Sequence, residues 1–188
     1  MKHFARILLA SGIVASVAGT AMAQHGPRTA PPEPARTVVQ GAVERAKAEN
    51  KTVWIDFGAS WCGWCRKLEA FLSAPEVNDI IQKHYLIVPL TVMESTDQKA
   101  LENPGGEEVM KDLGGGDAGL PFYAFLDASG KKIASSMAMP DGGNIGFPAN
   151  QTELDAFVSL IDKTAPALTP GERERLVGYL NEVVPAKK

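Results

Sequence analysis

The sequence predicts an α/β sandwich, and three observations carry that expectation. The run Thr52-Val53-Trp54-Ile55-Asp56-Phe57 is short, apolar and rich in β-branched and aromatic residues, as a buried strand requires, and a helix-like stretch follows within a few residues. Strand-like runs recur at 85–92, 122–126 and 132–136, with helical patterns between and after them. Two helix-start signals stand late in the chain, Asn150 with Glu153 and Thr169 with Glu172. Strands alternating with helices bury their apolar faces by stacking helices on a sheet.

Each element has its own reason. Residues 24–35 are rich in Pro and Ala, hold little to bury, and are expected to form a disordered leader. Arg36 to Asn50 is expected to be helical, with Val39, Val43 and Ala46 on one apolar face. The strand at 52–57 comes next, then a helix from about Cys62 to Leu72. Ser73 as a cap, with Glu76 three residues on, predicts another short helix starting there. Tyr85 to Val92 is the second strand; Pro89 has no N–H for a ladder and argues for an edge position. Glu94 to Gly119 is polar and Gly-rich, with Gly106 to Leu113 its one helix candidate. Phe122 to Leu126, a turn at Asp127-Ala128-Ser129-Gly130 and Lys132 to Ser136 form a hairpin. Asp141 to Pro148 is a loop. Gln151 to Ile161 is an amphipathic helix with Leu154, Phe157, Val158 and Ile161 on one side, and Pro170 opens a last helix through about Val183.

Both cysteines stand together in Trp61-Cys62-Gly63-Trp64-Cys65, where the first strand turns into a helix. That position suits redox chemistry. A helix N-terminus carries partial positive charge and free N–H donors, which stabilise a thiolate, and the thiolate is the species that attacks a disulfide. A second cysteine one helical turn on can then resolve the mixed disulfide. Two other readings compete. Half a zinc site is one, but such a site needs about four ligands, and the remaining candidates are His3, His25 and His84. A structural disulfide is the other, although so short a loop constrains the unfolded chain little.

The N-terminus reads as a signal peptide over residues 1–23. Lys2 and Arg6 give a basic start, Ile7 to Ala18 an uncharged apolar run, and Ala21-Met22-Ala23 a cleavage site, so the mature chain is expected to begin at about Gln24. An uncleaved anchor is the competing reading. Cleavage takes away two basic residues and no acidic one, so the formal charge of −3 becomes −5. No basic patch suggests a nucleic-acid partner, no dimerisation segment is visible, and a monomer is expected. Two cysteines in an exported chain fall short of a disulfide framework.

With these residues in view, the chain resembles the thioredoxin superfamily over much of 52–162. Four matches carry the resemblance: Ile55-Asp56-Phe57-Gly58-Ala59-Ser60-Trp61-Cys62-Gly63-Trp64-Cys65 as the strand and active-site signature, Asn103-Pro104-Gly105, Gly119-Leu120-Pro121, and the turn Asp127 to Gly130. It resembles most the exported bacterial thioredoxin-like proteins with a Trp-Cys-x-Trp-Cys site; the thioredoxin-like domain of membrane-bound disulfide reductases is a cousin. The resemblance implies a thioredoxin-like fold, a central mixed β-sheet flanked by helices, as a domain over 36–188. Its core would be 52–162, and 163–188 an extension carrying an additional C-terminal helix. No first strand is visible before residue 36, and several residues are inserted before Asn103.

The resemblance also implies a function: a cofactor-free, exported thiol–disulfide oxidoreductase acting on protein thiols and disulfides in a periplasm or outside the cell. Cys62 would be the nucleophile, at the exposed end of its helix, and Cys65 the more buried resolving thiol, the two forming the redox disulfide. Asp56 would serve proton transfer at Cys65; a strand-end Asp satisfied by backbone or Lys contacts is the plain alternative. Pro121 would be cis, with Leu120 offering its backbone to substrate. Trp61, Gly63 and Trp64 would contact substrate beside the thiols, with packing against the sheet edge as the competing expectation for Trp61. The central Gly63-Trp64 matches neither the Gly-Pro frequent in reductants nor the Pro-His or Gly-His of oxidants and isomerases. A reductase is the preferred direction, and it would need a membrane electron donor in an oxidising compartment. An oxidant or isomerase is the alternative. A further one is a Cu(I)-binding or delivery module, with Met93, Met110, Met137 and Met139 as soft ligands, although methionines more often fill cores.

Overall fold

The computed structural model describes residues 30–184. The signal segment at 1–23, most of the leader, and His3 and His25 lie outside the described residues. The elements are α1 (Ala35–Glu49), β1 (Thr52–Gly58), α2 (Gly63–Ser73), α3 (Asn78–His84), β2 (Tyr85–Thr91), a 3-10 helix (Thr96–Leu101), α4 (Gly106–Asp112), β3 (Phe122–Leu126), β4 (Lys132–Ser135), α5 (Gln151–Thr164) and α6 (Pro170–Val183). The sheet runs β2-β1-β3-β4. β1 is parallel to β2 and antiparallel to β3, and β3 is antiparallel to β4, so the sheet is mixed.

Successive side chains of a strand point to opposite faces, and β1 fills both. Val53, Ile55 and Phe57 join the cluster of α1 and α4 residues on one side. Trp54 joins the other cluster, with residues of α2, α3, α5 and α6. Its ring is surrounded by Tyr85, Tyr123, Phe125 and Phe157 at centroid distances of 5.1, 5.4, 4.7 and 6.1 Å, an arrangement that adds to the burial of each ring. β2 is an edge strand among the described residues, and Pro89, opposite Asp56, costs no ladder bond there. Buried Asn103 closes the far end of β2. It accepts from Thr91 N–H and donates to Glu33 C=O, each at 2.9 Å, so the chain ahead of α1 is tied to the end of the sheet.

The short helix expected from Ser73 starts elsewhere. Ser73 is the last residue of α2, where its hydroxyl donates back to Glu69 C=O at 2.7 Å, the local bond a serine in a last turn readily makes. A turn over 75–77 follows and α3 opens at Asn78. The expected helix at 151–161 runs on to Thr164, whose hydroxyl lies 2.8 Å from Leu160 C=O and from the Tyr85 hydroxyl. The capping box at Thr169 and Glu172 forms as the sequence predicts, with Pro170 at the first helical position.

α6 is a docked element. Leu176 and Leu180 are buried, and Tyr179 stacks on Phe71 of α2 at 6.2 Å. Glu172 meets Lys83 at 2.6 Å and His84 at 3.3 Å; Arg173 grips Asp162 at 2.8 and 2.9 Å; Arg175 pairs with Asp79.

Candidate active site

Three segments converge because of strand register. Phe57, near the end of β1, faces Phe122, the first residue of β3, while Gly58 faces Thr91, the last of β2. The Cys62 turn after β1, Pro121 ahead of β3, and the segment after β2 therefore leave one end of the sheet together.

The Cys62 turn is closed by Cys62 N–H donating to Ala59 C=O at 3.0 Å, with Ser60 and Trp61 as its central residues. Cys62 caps α2, and its sulfur accepts the Cys65 N–H at 3.1 Å. The helix thus points a free donor and its positive dipole end at the first sulfur, the arrangement that favours a thiolate. α2 has no acid in its first turn. Arg66 donates from Nη1 to Ser60 C=O at 3.1 Å, and Lys67 Nζ sits 4.0 Å from the centre of the Trp64 ring. Cys62 and Cys65 form a disulfide, their Cα atoms 5.3 Å apart.

Cys62 does not occupy an exposed helix end as expected. It is 3% exposed in this oxidised state. Its sulfur is tied to Cys65, and the pair shares a small cluster with Ala59 and the half-buried Leu120. The exposed surface beside it is apolar: Trp61 is 55% exposed, Trp64 44% and Met93 40%. Trp61 does not pack away, because its Nε1–H is fixed on Met93 C=O at 2.8 Å while the ring stays open to water. Gly63, the first residue of α2, is exposed and its Cβ position has room, the nearest atom being Arg66 Nη2 at 3.6 Å. Glycine is not sterically required there.

The Leu120–Pro121 peptide bond is cis. Asn144 straps that segment, donating from Nδ2 to Gly119 C=O at 2.7 Å and to Pro121 C=O at 3.0 Å. Asp56 is buried in the middle of β1, on the Trp54 face that α2 covers, opposite Tyr123. Burial, and then the negative charge of Asp56, push the Tyr123 phenol well above its usual pKa; the phenol donates to Gly146 C=O at 3.0 Å.

The residues weighed as metal ligands do not converge. Met110 and Met137 belong to the α1/α4 side of the sheet, Met139 packs on the opposite cluster, and Met93 is exposed. His84 is buried against Glu172 of α6. Asn144 and Glu94, which both brace this end of the sheet, were not visible in the sequence. Each stands in a polar or Gly-rich stretch where one more polar residue carries no signal.

The family described as thioredoxin-like matches residues 35–128, half the chain, from α1 through the Cys62 turn and Pro121 to the end of β3. The chain belongs to the thioredoxin-like family. Two curated relatives of this thioredoxin-like chain are informative. It is 27% identical over 104 residues to the disulfide bond reductase DsbH of Chlamydia pneumoniae, a match over 54% of this chain and 61% of that protein. It is 29% identical over 118 residues to the thiol:disulfide interchange protein DsbD of Vibrio cholerae serotype O1, over 62% of this chain and 17% of that one. Both matches span less than two thirds of the relative's length. The solved structure of a disulphide isomerase from Xylella fastidiosa Temecula1 superposes with a TM-score of 0.51 over 88% of this chain and 100% of that chain. At 17% identity that likeness speaks for the fold alone.

Proposed function

We propose that this protein is an exported thiol–disulfide oxidoreductase that reduces protein disulfides through Cys62 and Cys65. The observation that carries the reading is the Cys62–Cys65 pair at the start of α2, with the first sulfur accepting a helix N–H. The Cys62 thiolate attacks one sulfur of a substrate disulfide, forming a mixed disulfide and releasing one substrate thiolate. The Cys65 thiolate then attacks Cys62 Sγ, which frees the second substrate sulfur as a thiolate and leaves the protein as the Cys62–Cys65 disulfide. Two electrons pass to the substrate, and a dithiol donor must return two to the protein. In an oxidising compartment that donor is a membrane protein, since the compartment supplies none in solution. The name of one curated relative, a disulfide bond reductase, supports this direction, and that of the other, a thiol:disulfide interchange protein, supports the chemistry.

Trp61, Trp64 and Gly63 frame the approach to Cys62, and Leu120 with Pro121 offers backbone for an extended substrate segment to pair with. The test is reduction of insulin disulfides with dithiothreitol as donor. The wild-type protein should accelerate it, Cys62→Ser should abolish the acceleration, and Cys65→Ser should accumulate a protein–substrate mixed disulfide on a non-reducing gel. A wild-type rate no faster than dithiothreitol alone rejects the reading. Direction is read from the reduction potential: a value near about −270 mV means a reductant, and one at about −120 to −180 mV an oxidant or isomerase.

A further inference from the structure

The segment that follows β2 grips the turn that presents Cys62. Met93 stands in left-handed backbone, with φ of 56°, a conformation uncommon for a residue with a side chain. From there its carbonyl accepts the Trp61 Nε1–H at 2.8 Å. The next residue, Glu94, is only 4% exposed. Its Oε1 accepts Ser60 N–H at 2.6 Å and its Oε2 accepts the Ser60 hydroxyl at 2.8 Å; Ser60 Oγ also lies 2.5 Å from Gln98 Oε1. Glu94 is itself braced, its N–H donating to Glu102 Oε1 at 2.6 Å, the oxygen that also meets Lys99 at 2.7 Å. Both central residues of the turn, Ser60 and Trp61, are thus held by residues 93 and 94.

A neutral acceptor would suffice to hold the turn. A carboxylate taken out of water costs free energy unless hydrogen bonds compensate, and this one is bonded to Ser60, two residues before the first cysteine. What the acid adds over an amide is negative charge, which opposes a thiolate at Cys62 and so favours the disulfide over the dithiol. The opposing charge on the same turn is Arg66, through Ser60 C=O.

We propose that Glu94 is a positioning residue of the redox centre: it fixes the Ser60-Trp61 turn, and its charge biases the Cys62–Cys65 pair toward the disulfide. This rests on reading the pair as a working redox couple, and it gives the inserted segment between β2 and α4 a role in setting the pair's reduction potential.

The experiment equilibrates the full chain with mixtures of reduced and oxidised glutathione and reads the fraction of dithiol. Glu94→Gln keeps the shape and an acceptor for Ser60 but removes the charge. It should move the equilibrium toward the dithiol by about tenfold, or roughly 30 mV. Glu94→Asp keeps the charge and shortens the reach. It should hold the wild-type equilibrium to within about twofold while altering Trp61 fluorescence. An unchanged equilibrium in E94Q overturns the proposal. So does a tenfold shift in E94D, which gives the answer should E94Q fail to fold. If the wild-type pair equilibrates with glutathione but reduces no protein disulfide, the proposed function fails and the Glu94 comparison still decides this inference. If the wild type is an active reductase and E94Q matches it in equilibrium, the inference alone fails.

Discussion

Asp56 is the residue where the cost of burial points to use. It lies inside β1 between Pro89 and Tyr123, at a position where its neighbours Ile55 and Phe57 are core residues. A carboxylate there gives up hydration that an apolar side chain would not need. We propose that the return is a proton acceptor behind the helix that carries Cys65, where resolution of a mixed disulfide requires a thiolate. Asp56→Asn preserves size and removes the acceptor. We expect it to slow release of the mixed disulfide by about a hundredfold at neutral pH, the usual scale for loss of a general base. Thermal stability should change little, because Asn keeps the size and shape of the side chain. Rapid-quench single turnovers against a disulfide-bonded peptide read the rate, and a wild-type rate excludes the proton-transfer role. Cys62, Cys65, Asp56 and Pro121 were singled out as candidates in the sequence because each stands in a local motif that needs no knowledge of the fold. Glu94 and Asn144 were not, since each matters only through a partner 34 and 23 residues away in the chain, Ser60 and Pro121.

α6 shows what capping chemistry can and cannot reveal at the scale of an element. The Thr169 and Glu172 box was readable because both halves of the motif lie within one turn. The same pattern at Ser73 and Glu76 misled, because the α2 carbonyl at Glu69 was already within reach of the serine hydroxyl. What the motif could not reveal is that Glu172 also docks the helix. The Lys83 ammonium first, then the Thr169 N–H, the Thr169 hydroxyl and His84, hold its carboxyl at about 2, below the ordinary 4.5. A carboxyl with a depressed folded-state pKa contributes stability that is present above the ordinary value and lost as pH falls toward the folded one. Glu172→Gln should therefore lower Tm at pH 7, and its gap from the wild type should close as the pH is taken from about 4.5 to about 2. Melting curves across that range check it, and a constant gap would mean that Glu172 contributes only packing and neutral hydrogen bonds. The Lys83 partner is exposed to solvent, so added salt should shrink its share of the effect.

At the scale of the whole molecule, the alternation of strands and helices was legible as an α/β sandwich, whereas strand order was legible only at β2, where Pro89 pointed to an edge. Periodicity tells which residues face a core, and both faces of β1 are buried here, but nothing in an apolar run says which neighbour it pairs with. That order brings three loops to one end of the sheet and couples folding to redox state. In the unfolded chain the two cysteines are an ordinary Cys-x-x-Cys pair. If folding favours the disulfide over the dithiol, the folded potential falls below the unfolded one. The thermodynamic cycle then requires the oxidised protein to be more stable than the reduced protein by the same free energy. An oxidant obeys the opposite sign, because its reduced form is the stabilised one. Each 30 mV corresponds to about 1.4 kcal/mol, or roughly 3 to 6 °C in Tm for a chain of this length. The reductase direction predicts that the oxidised protein melts above the protein reduced with dithiothreitol, and that Glu94→Gln narrows the gap. Calorimetric scans of both redox forms measure it directly. An oxidised form that melts below the reduced one would make the pair an oxidant or isomerase and reverse the direction of electron flow assigned to Cys62 and Cys65.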